Sequence, residues 1–445
     1  MKKLNLPVIW GALFAAISLA NAQTDSFVPF SEFMAGTRAE TAAASLARPN
    51  ARVKDVKNVE AMRQHILKMY QGVSVPNSYV FDSQHYDCIA VEQQPSVRLL
   101  GLSSIATPPP ASVLASQNRA AFSMNDATTA SQVTSQVGAN HKYDSFGNAI
   151  GCAANAIPFR RITLEEMSRF PSLQEFFQKR PTGSVSSIGG TNSGFVPPAV
   201  ASHKYGITYQ YVANLGGNSN INIWSPYVNT GAGQIFSLSQ EWYVGGSGAA
   251  TQTAEVGWQN YPALYNIGQK SALFIYWTAN NYNGTGCYNL TCAAFVQTNS
   301  TWHFGSGFAN YSVIGGAQYE FSAQFYLYQG NWWLALGGTW VGYYPGSLYK
   351  GGQLTKSAQI VEYGGESVGT TTWPGEGSGK WANTGYAQAA YQRNLFYINT
   401  SGAGIWETLT PLTPSPACYS IAGPYTSTGL WTRYFYMGGP GGPGC

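Results

Sequence analysis

The chain has 445 residues, of which 10% are charged and 14% aromatic, with 50 glycines, 29 tyrosines and 13 tryptophans. That length exceeds one ordinary core and suits two or three domains, and sparse charge with abundant Gly, Tyr and Trp fits an all-β extracellular protein better than a helical cytosolic one. The net charge of +4 comes from the N-terminal half, because from His203 onward seven Lys/Arg face seven Glu and no Asp; with no basic patch, nucleic-acid partners are set aside.

Residues 1–22 read as a secretory signal, with Lys2 and Lys3, an apolar stretch from Leu6 to Leu19, and Ala20-Asn21-Ala22 as the cleavage site. The apolar run is short and interrupted, and no later run approaches the length of a membrane span. The expectation is an exported protein without a membrane anchor, extracellular or periplasmic, starting near Gln23.

Residues 23–198 carry most of the charge and nearly all the helical pattern. Val59, Met62, Ile66, Met69 and Tyr70 recur at helical spacing, predicting an amphipathic helix over 56–70. Thr163-Leu164-Glu165-Glu166 has the capping-box pattern of a second helix; Pro171 breaks it, and Ser172 opens a third. Between them, the polar stretch 103–140 has no period and contains Pro108-Pro109-Pro110, which predicts a long loop or flexible insert. The Ser/Gly/Thr/Asn/Pro stretch 184–202, including Pro197 and Pro198, reads as a linker.

Beyond the linker the texture changes to short β-prone runs separated by Gly/Asn turns: 205–212, 220–228, 234–244, 272–278, 319–328 and 332–343. Many short strands without a fixed-period repeat predict an antiparallel sandwich or barrel over 199–445. The six cysteines allow 15 pairings. Export favours disulfides, and pairing by position gives Cys88–Cys152, Cys287–Cys292 and Cys418–Cys445. A zinc site is disfavoured: the C-terminal half offers only His203 and His303 as imidazoles and no C-x-x-C. Neither a metal nor a cofactor is expected.

Two glutamates stand out in this carboxylate-poor region. In Ala254-Glu255-Val256-Gly257-Trp258, alternation places Ala254, Val256 and Trp258 on one face and Glu255 with Gly257 on the other, where the glycine would leave room for a ligand. In Glu362-Tyr363-Gly364-Gly365-Glu366, the double glycine either lets backbone approach closely or forms a bulge that re-aims Glu366. Without a bulge Glu362 shares the face of Glu366 and is its rival. A Ser-His-Asp triad and an aspartic dyad lack their aspartates, and no G-x-S-x-G occurs. What remains is glutamate chemistry, as in peptidases or glycosidases.

Several ordered motifs then resemble the neprosin family of glutamic peptidases: Phe236-Ser237-Leu238-Ser239-Gln240-x-Trp242, Glu255-x-Gly257-Trp258, Gly286-Cys287-Tyr288-Asn289-Leu290-x-Cys292, Gly330-Asn331-Trp332-Trp333-Leu334, Gly364-Gly365-Glu366, and the tail from Cys418-Tyr419 to Cys445. Asp87-Cys88-Ile89, Gln94-Pro95, Cys152 and Ile157-Pro158-x-Arg160-Arg161 resemble the activation segment of that family. The chain departs from the pattern at Ala294 and at Glu376-Gly377-Ser378-Gly379. The resemblance implies a curved, jelly-roll or concanavalin-like antiparallel β-sandwich preceded by a smaller mixed α+β prodomain. It also implies Glu255 and Glu366 as the catalytic pair, cleavage after proline at acid pH, and inhibition by the protein's own prosegment. Trp258, Trp242 and Gln240 are the candidate substrate-binding residues, a proline-rich peptide the expected partner, and Pro197-Pro198 the expected processing site. The rival readings are a two-glutamate glycoside hydrolase and a non-catalytic carbohydrate- or peptide-binding module.

Overall fold

The computed structural model describes residues 26–118, 132–133, 142–179, 201–429 and 431–445. The signal segment 1–22, much of the 103–140 insert, and Pro197 and Pro198 lie outside the described residues. Two short elements do lie within the insert: a helix Ala111–Asn118, entered from the Pro108–Pro110 run, and a strand Gln132–Val133 that pairs with Tyr319 and Glu320.

The N-terminal part is a small α+β unit. Its longest helix, Val56–Met69, starts where the Asp55 carboxylate accepts the Asn58 N–H at 2.8 Å, and it buries Val59, Met62, Ile66 and Met69. Thr163 and Glu166 form the reciprocal capping box of the helix Leu164–Ser168, and Ser172 caps Leu173–Phe177. These helices pack on a three-stranded antiparallel sheet of Ser78–Phe81, Gln84–Ala90 and Ala156–Arg160. The buried Asp87 accepts from Arg161, Tyr70 and Ser78, so its charge is both paired and hydrogen-bonded. A first helix, Phe30–Ala39, went unpredicted: it has no side-chain N-cap and buries only Phe33, Met34 and Thr37.

Residues 201–445 form two antiparallel sheets packed face to face. One has seven strands in the order Cys287–Tyr288, Ala272–Thr278, Gln252–Asn260, Gln234–Gly245, Ala358–Gly369, Ser202–Asn214 and Thr410–Leu412. The other, of ten strands, is centred on Tyr319–Tyr328, Gly216–Asn222 and Ala390–Ile398. Tyr243 from the first sheet meets Phe325 and Trp332 from the second, with ring centroids 5.7 and 5.9 Å apart. This is a β-sandwich with an aromatic core.

Two strand expectations are corrected. The run 332–343 is a hairpin, Asn331–Leu336 and Thr339–Pro345, because Gly337 and Gly338 both take positive φ (56° and 76°) and close a tight turn. The run 220–228 is a strand only as far as Asn222; Pro226, which lacks an N–H, follows the departure from the ladder.

Of three disulfides, Cys88–Cys152 and Cys287–Cys292 each tie a loop to a strand and Cys418–Cys445 joins a loop to the C-terminal residue, and they fit an extracellular protein. Among the described residues no helix is long and apolar enough to cross a membrane. The N-terminal unit lies against the sandwich through specific polar contacts. The Gln94 amide donates to the Gln297 carbonyl and accepts the Gln297 N–H, both at 2.9 Å, and His65 Nε2 lies 2.8 Å from the Thr291 carbonyl.

Candidate active site

The strand Gln252–Asn260 alternates as its sequence predicts. Ala254, Val256 and Trp258 point between the sheets, and the Trp258 indole N–H donates to the Asn222 carbonyl at 2.8 Å. Glu255 therefore lies on the outer face, directly opposite Trp242 on one neighbour and Tyr276 on the other. Trp242 is in turn the direct partner of Glu362.

Across Ile360–Val368 the register runs without a shift. No bulge re-aims Glu366, and Glu362 and Glu366 share the outer face. The double glycine serves close approach instead. Gly364 has φ +142°, and a Cβ there would sit 2.4 Å from the Gly206 carbonyl; one on Gly365 would sit 2.2 Å from the Glu376 carboxyl carbon. Gly257 does the same for its neighbour: a Cβ would lie 2.1 Å from the Ser239 carbonyl and 2.7 Å from Gln240 Cα. It admits the adjacent strand, not the ligand for which its place in the sequence suggested room.

Glu255 and Glu366 converge on a residue from the N-terminal unit. After the helix Leu173–Phe177, anchored by Phe176 in the core and by Phe177 against His65 (centroids 4.9 Å apart), Gln178 extends the chain and Lys179 enters the face. Lys179 Nζ lies 2.5 Å from Glu255 Oε2 and 3.0 Å from Glu366 Oε2, and it donates to Gln240 Oε1 at 2.8 Å. It sits 5.2 Å from the Trp242 ring centroid, and its side chain is 2% exposed. The remaining partners of the two glutamates differ. Glu255 Oε1 accepts from the hydroxyls of Thr253 and Tyr282, both at 2.7 Å. Glu366 Oε1 takes a short hydrogen bond from His203 Nδ1.

Burial raises the Glu366 carboxyl, but the Lys179 ammonium and the His203 hydrogen bond outweigh it and hold it at about 2. Glu362, half-buried, is pushed up to about 7 by burial and by the charge of Glu255, against the pull of Lys179. Behind the sheet, burial drives Glu376 well above the usual carboxylate range. Glu241 and Glu407 lie between the two sheets, and burial raises Glu241 well up and Glu407 to about 8. Of the seven glutamates in 201–445, six are buried and Glu362 is the seventh.

A cleft of about 490 Å³ opens beside the pair, with Tyr205, Ile207, Tyr211, Trp242, Tyr282 and Glu362 in its walls. Trp242 and Lys179 therefore line the cleft and Gln240 accepts from Lys179, whereas Trp258 does not reach it. That expectation for Trp258 is withdrawn: the alternation that exposes Glu255 already turned Trp258 inward. Lys179 carried no sequence signal, and His203 figured only as a poor zinc ligand. Among the described residues no three His, Cys, Asp or Glu side chains are grouped as a metal site.

Two packed antiparallel sheets, with paired buried glutamates on the outer face of one, define a β-sandwich protein with a two-carboxylate cleft. Residues 233–440 match the Neprosin family model, a likeness that supports a peptidase. Two solved structures of scytalido-glutamic peptidase also align with the chain, one with a peptide-based transition-state analog and one with a transition state analog inhibitor. They cover 54% of this chain and 100% and 98% of their own, at 8% and 7% identity and TM-scores of 0.30 and 0.27, a likeness too slight to carry an argument.

Proposed function

We propose that the protein is an exported, acid-acting glutamic endopeptidase made as a zymogen, with residues 23–198 as prosegment, 199–445 as catalytic unit, and Glu255 and Glu366 as its dyad. The carrying observation is that these two buried carboxylates, from strands far apart in sequence, meet on a single ammonium, Lys179, supplied by the N-terminal unit. With Lys179 withdrawn, two carboxyls so close cannot both ionise cheaply and share a proton. The ionised one takes a proton from water, whose oxygen bonds to the scissile carbonyl carbon. The protonated one polarises the carbonyl oxygen, and the leaving amine takes a proton as the C–N bond breaks. Such a pair works only while one proton remains, hence in acid.

The aromatic cleft suits an extended proline-containing peptide, which supports cleavage after proline. Release of the prosegment by a cut after Pro198 would unlink Lys179 from the sandwich.

The test is acid incubation of the full-length protein beside Glu255→Gln and Glu366→Gln, with a proline-rich peptide present and products read by mass spectrometry. Prosegment loss and cleavage after proline by the parent alone is the expected result. Equal cleavage by all three sinks the dyad. Reducing-sugar release from polysaccharide without peptide cleavage selects the glycosidase, and undiminished ligand binding by Glu255→Gln without turnover in the parent selects the binding module.

A further inference from the structure

We propose that His203 is the positioning residue of the dyad: it holds Glu366 as the ionised base and so leaves the shared proton on Glu255, the acid. The inference rests on the glutamic-peptidase reading and assigns the two roles within it.

The two carboxylates differ in the partners they keep. Among the described residues the titratable groups around Glu366 include Lys179, arriving after the helix Leu173–Phe177, the carboxyls of Glu255, Glu362 and Glu376, His203, and Tyr205 directly opposite on the neighbouring strand. When the prosegment leaves, Lys179 leaves with it. Of the hydrogen bonds that Glu255 makes among the described residues, those from the neutral hydroxyls of Thr253 and Tyr282 remain. Glu366 keeps the imidazole whose Nδ1 bonds its carboxylate. A hydrogen bond donated to the ionised form of a carboxyl favours that form, so the single proton of the pair resides on Glu255.

The imidazole is built for one contact. His203 lies across from Val368, two residues along from Glu366 on the same face. Its side chain is 1% exposed. The ring stacks on Tyr205 (18° between planes) and meets Phe236 edge-on, with both centroids 6.2 Å away. Nδ1 bonds Glu366, while Nε2 is buried with no hydrogen-bond partner among the described residues. The ring is thus fixed by packing and spends its polarity on Glu366. It lies before the matched segment 233–440, yet a cut after Pro198 retains it in the catalytic unit.

In the hydrolytic step Glu366 accepts a water proton as the C–O bond forms, and Glu255 gives its proton to the carbonyl oxygen. On collapse the C–N bond breaks, Glu366 passes its proton to the amine nitrogen, and the oxygen returns one to Glu255. Both side chains end as they began.

The experiment measures kcat/KM against pH for acid-activated parent, His203→Gln and His203→Lys. The Gln variant is expected to move the acidic limb upward by about one pH unit or more, since losing the hydrogen bond donated to the ionised form raises the pKa of the base. The Lys variant is expected to return the limb toward its parent position. A uniform loss across pH with the acidic limb unmoved overturns the proposal and leaves His203 a packing residue. A measurement that keeps the histidine stands beside it: ¹⁵N titration of the five histidines in full-length parent and Glu366→Gln. Because coupling is reciprocal, one histidine should titrate lower by about one pH unit in the variant, and no change in any of them overturns the proposal. If Glu255→Gln and Glu366→Gln both keep parent turnover, the dyad reading fails by itself, whatever the histidine titration shows.

Discussion

Lys179 reaches Glu255 at 2.5 Å from 76 residues earlier in the chain, and the same ammonium lies 3.0 Å from Glu366. Replacing it by a neutral chain of similar length, Lys179→Met, removes the cation and leaves two buried carboxyls facing each other. At pH 7 the uncleaved variant should lose about 3–5 kcal/mol of stability in urea unfolding, the usual result of stripping one partner from a buried pair. Near pH 4 the loss should shrink as the pair takes up a proton. The uncleaved variant should also hydrolyse peptide faster than the uncleaved parent, on the order of tenfold or more, because no ammonium then ties the N-terminal unit to the two carboxyls and a larger fraction of molecules has the site open. Equal initial rates would remove Lys179 from the inhibitory role.

Stability as a whole should favour acid. Glu407, held at about 8, and Glu362, at about 7, have folded values above the ordinary 4.5. Each contributes stability that is fully present below the unfolded value and is lost as pH rises through the folded one, at about 1.4 kcal/mol for each pH unit that separates the two values. Glu241 and Glu376 act in the same direction. Glu366, held at about 2, acts oppositely: its stabilisation is present above the unfolded value and is lost as pH falls toward 2. Melting temperature should therefore peak near pH 3–5 and fall by several degrees by pH 8. A maximum at pH 7 or above would contradict it, and in Glu407→Gln the alkaline fall should be shallower.

Gly257→Ala should be among the most costly small substitutions in the sandwich. The added methyl would sit 2.1 Å from a backbone carbonyl that the ladder holds in place. Overpacking against backbone costs about 1–3 kcal/mol or more, so the urea midpoint should drop, and peptide hydrolysis with it, since Glu255 lies two residues away. An unchanged midpoint would mean that the two strands separate freely.

The two tryptophans of the motif region should part company. Trp242→Phe, in the cleft wall, should raise KM several-fold while leaving the melting temperature close to the parent's. Trp258→Phe, in the inter-sheet core with its N–H on Asn222, should lower the melting temperature and leave KM unchanged. Steady-state kinetics and thermal melts on the two variants decide it; matching effects would place both in one environment.

Much of this was legible in advance because it depends on short-range pattern. The helix over 56–70, capping at Thr163 and Ser172, the strands 272–278 and 319–328, and the outward side of Glu255 follow from spacing and alternation alone. The hairpin at Gly337-Gly338 could have been read from its dipeptide and was not. Lys179 and His203 are a different matter. A lysine after a helix that ends in two phenylalanines and a histidine opening a strand acquire meaning only from which strands become neighbours, and no local period encodes that pairing. Glu362 and Glu366 were left unresolved for the same reason: a bulge is decided by the partners Gly206 and Glu376, which lie 159 and 11 residues from Gly365.

The inward placement of the glutamates has a consequence for how the catalytic unit meets its surroundings. Most proteins become a different electrostatic object between pH 7 and pH 4, because their surface carboxylates go out one by one. Here the outward side chains that carry charge are cations such as Lys270, Lys350, Lys356 and Lys380, while His303 is covered by Tyr79, Phe81 and Tyr86 of the N-terminal unit. Apart from that one histidine, the sandwich freed of the N-terminal unit would carry nearly the same outer charge through an acid drop, with its proton traffic confined to the interior. Its solubility and its attraction to neighbouring molecules would then be insensitive to the very change that its cleft responds to.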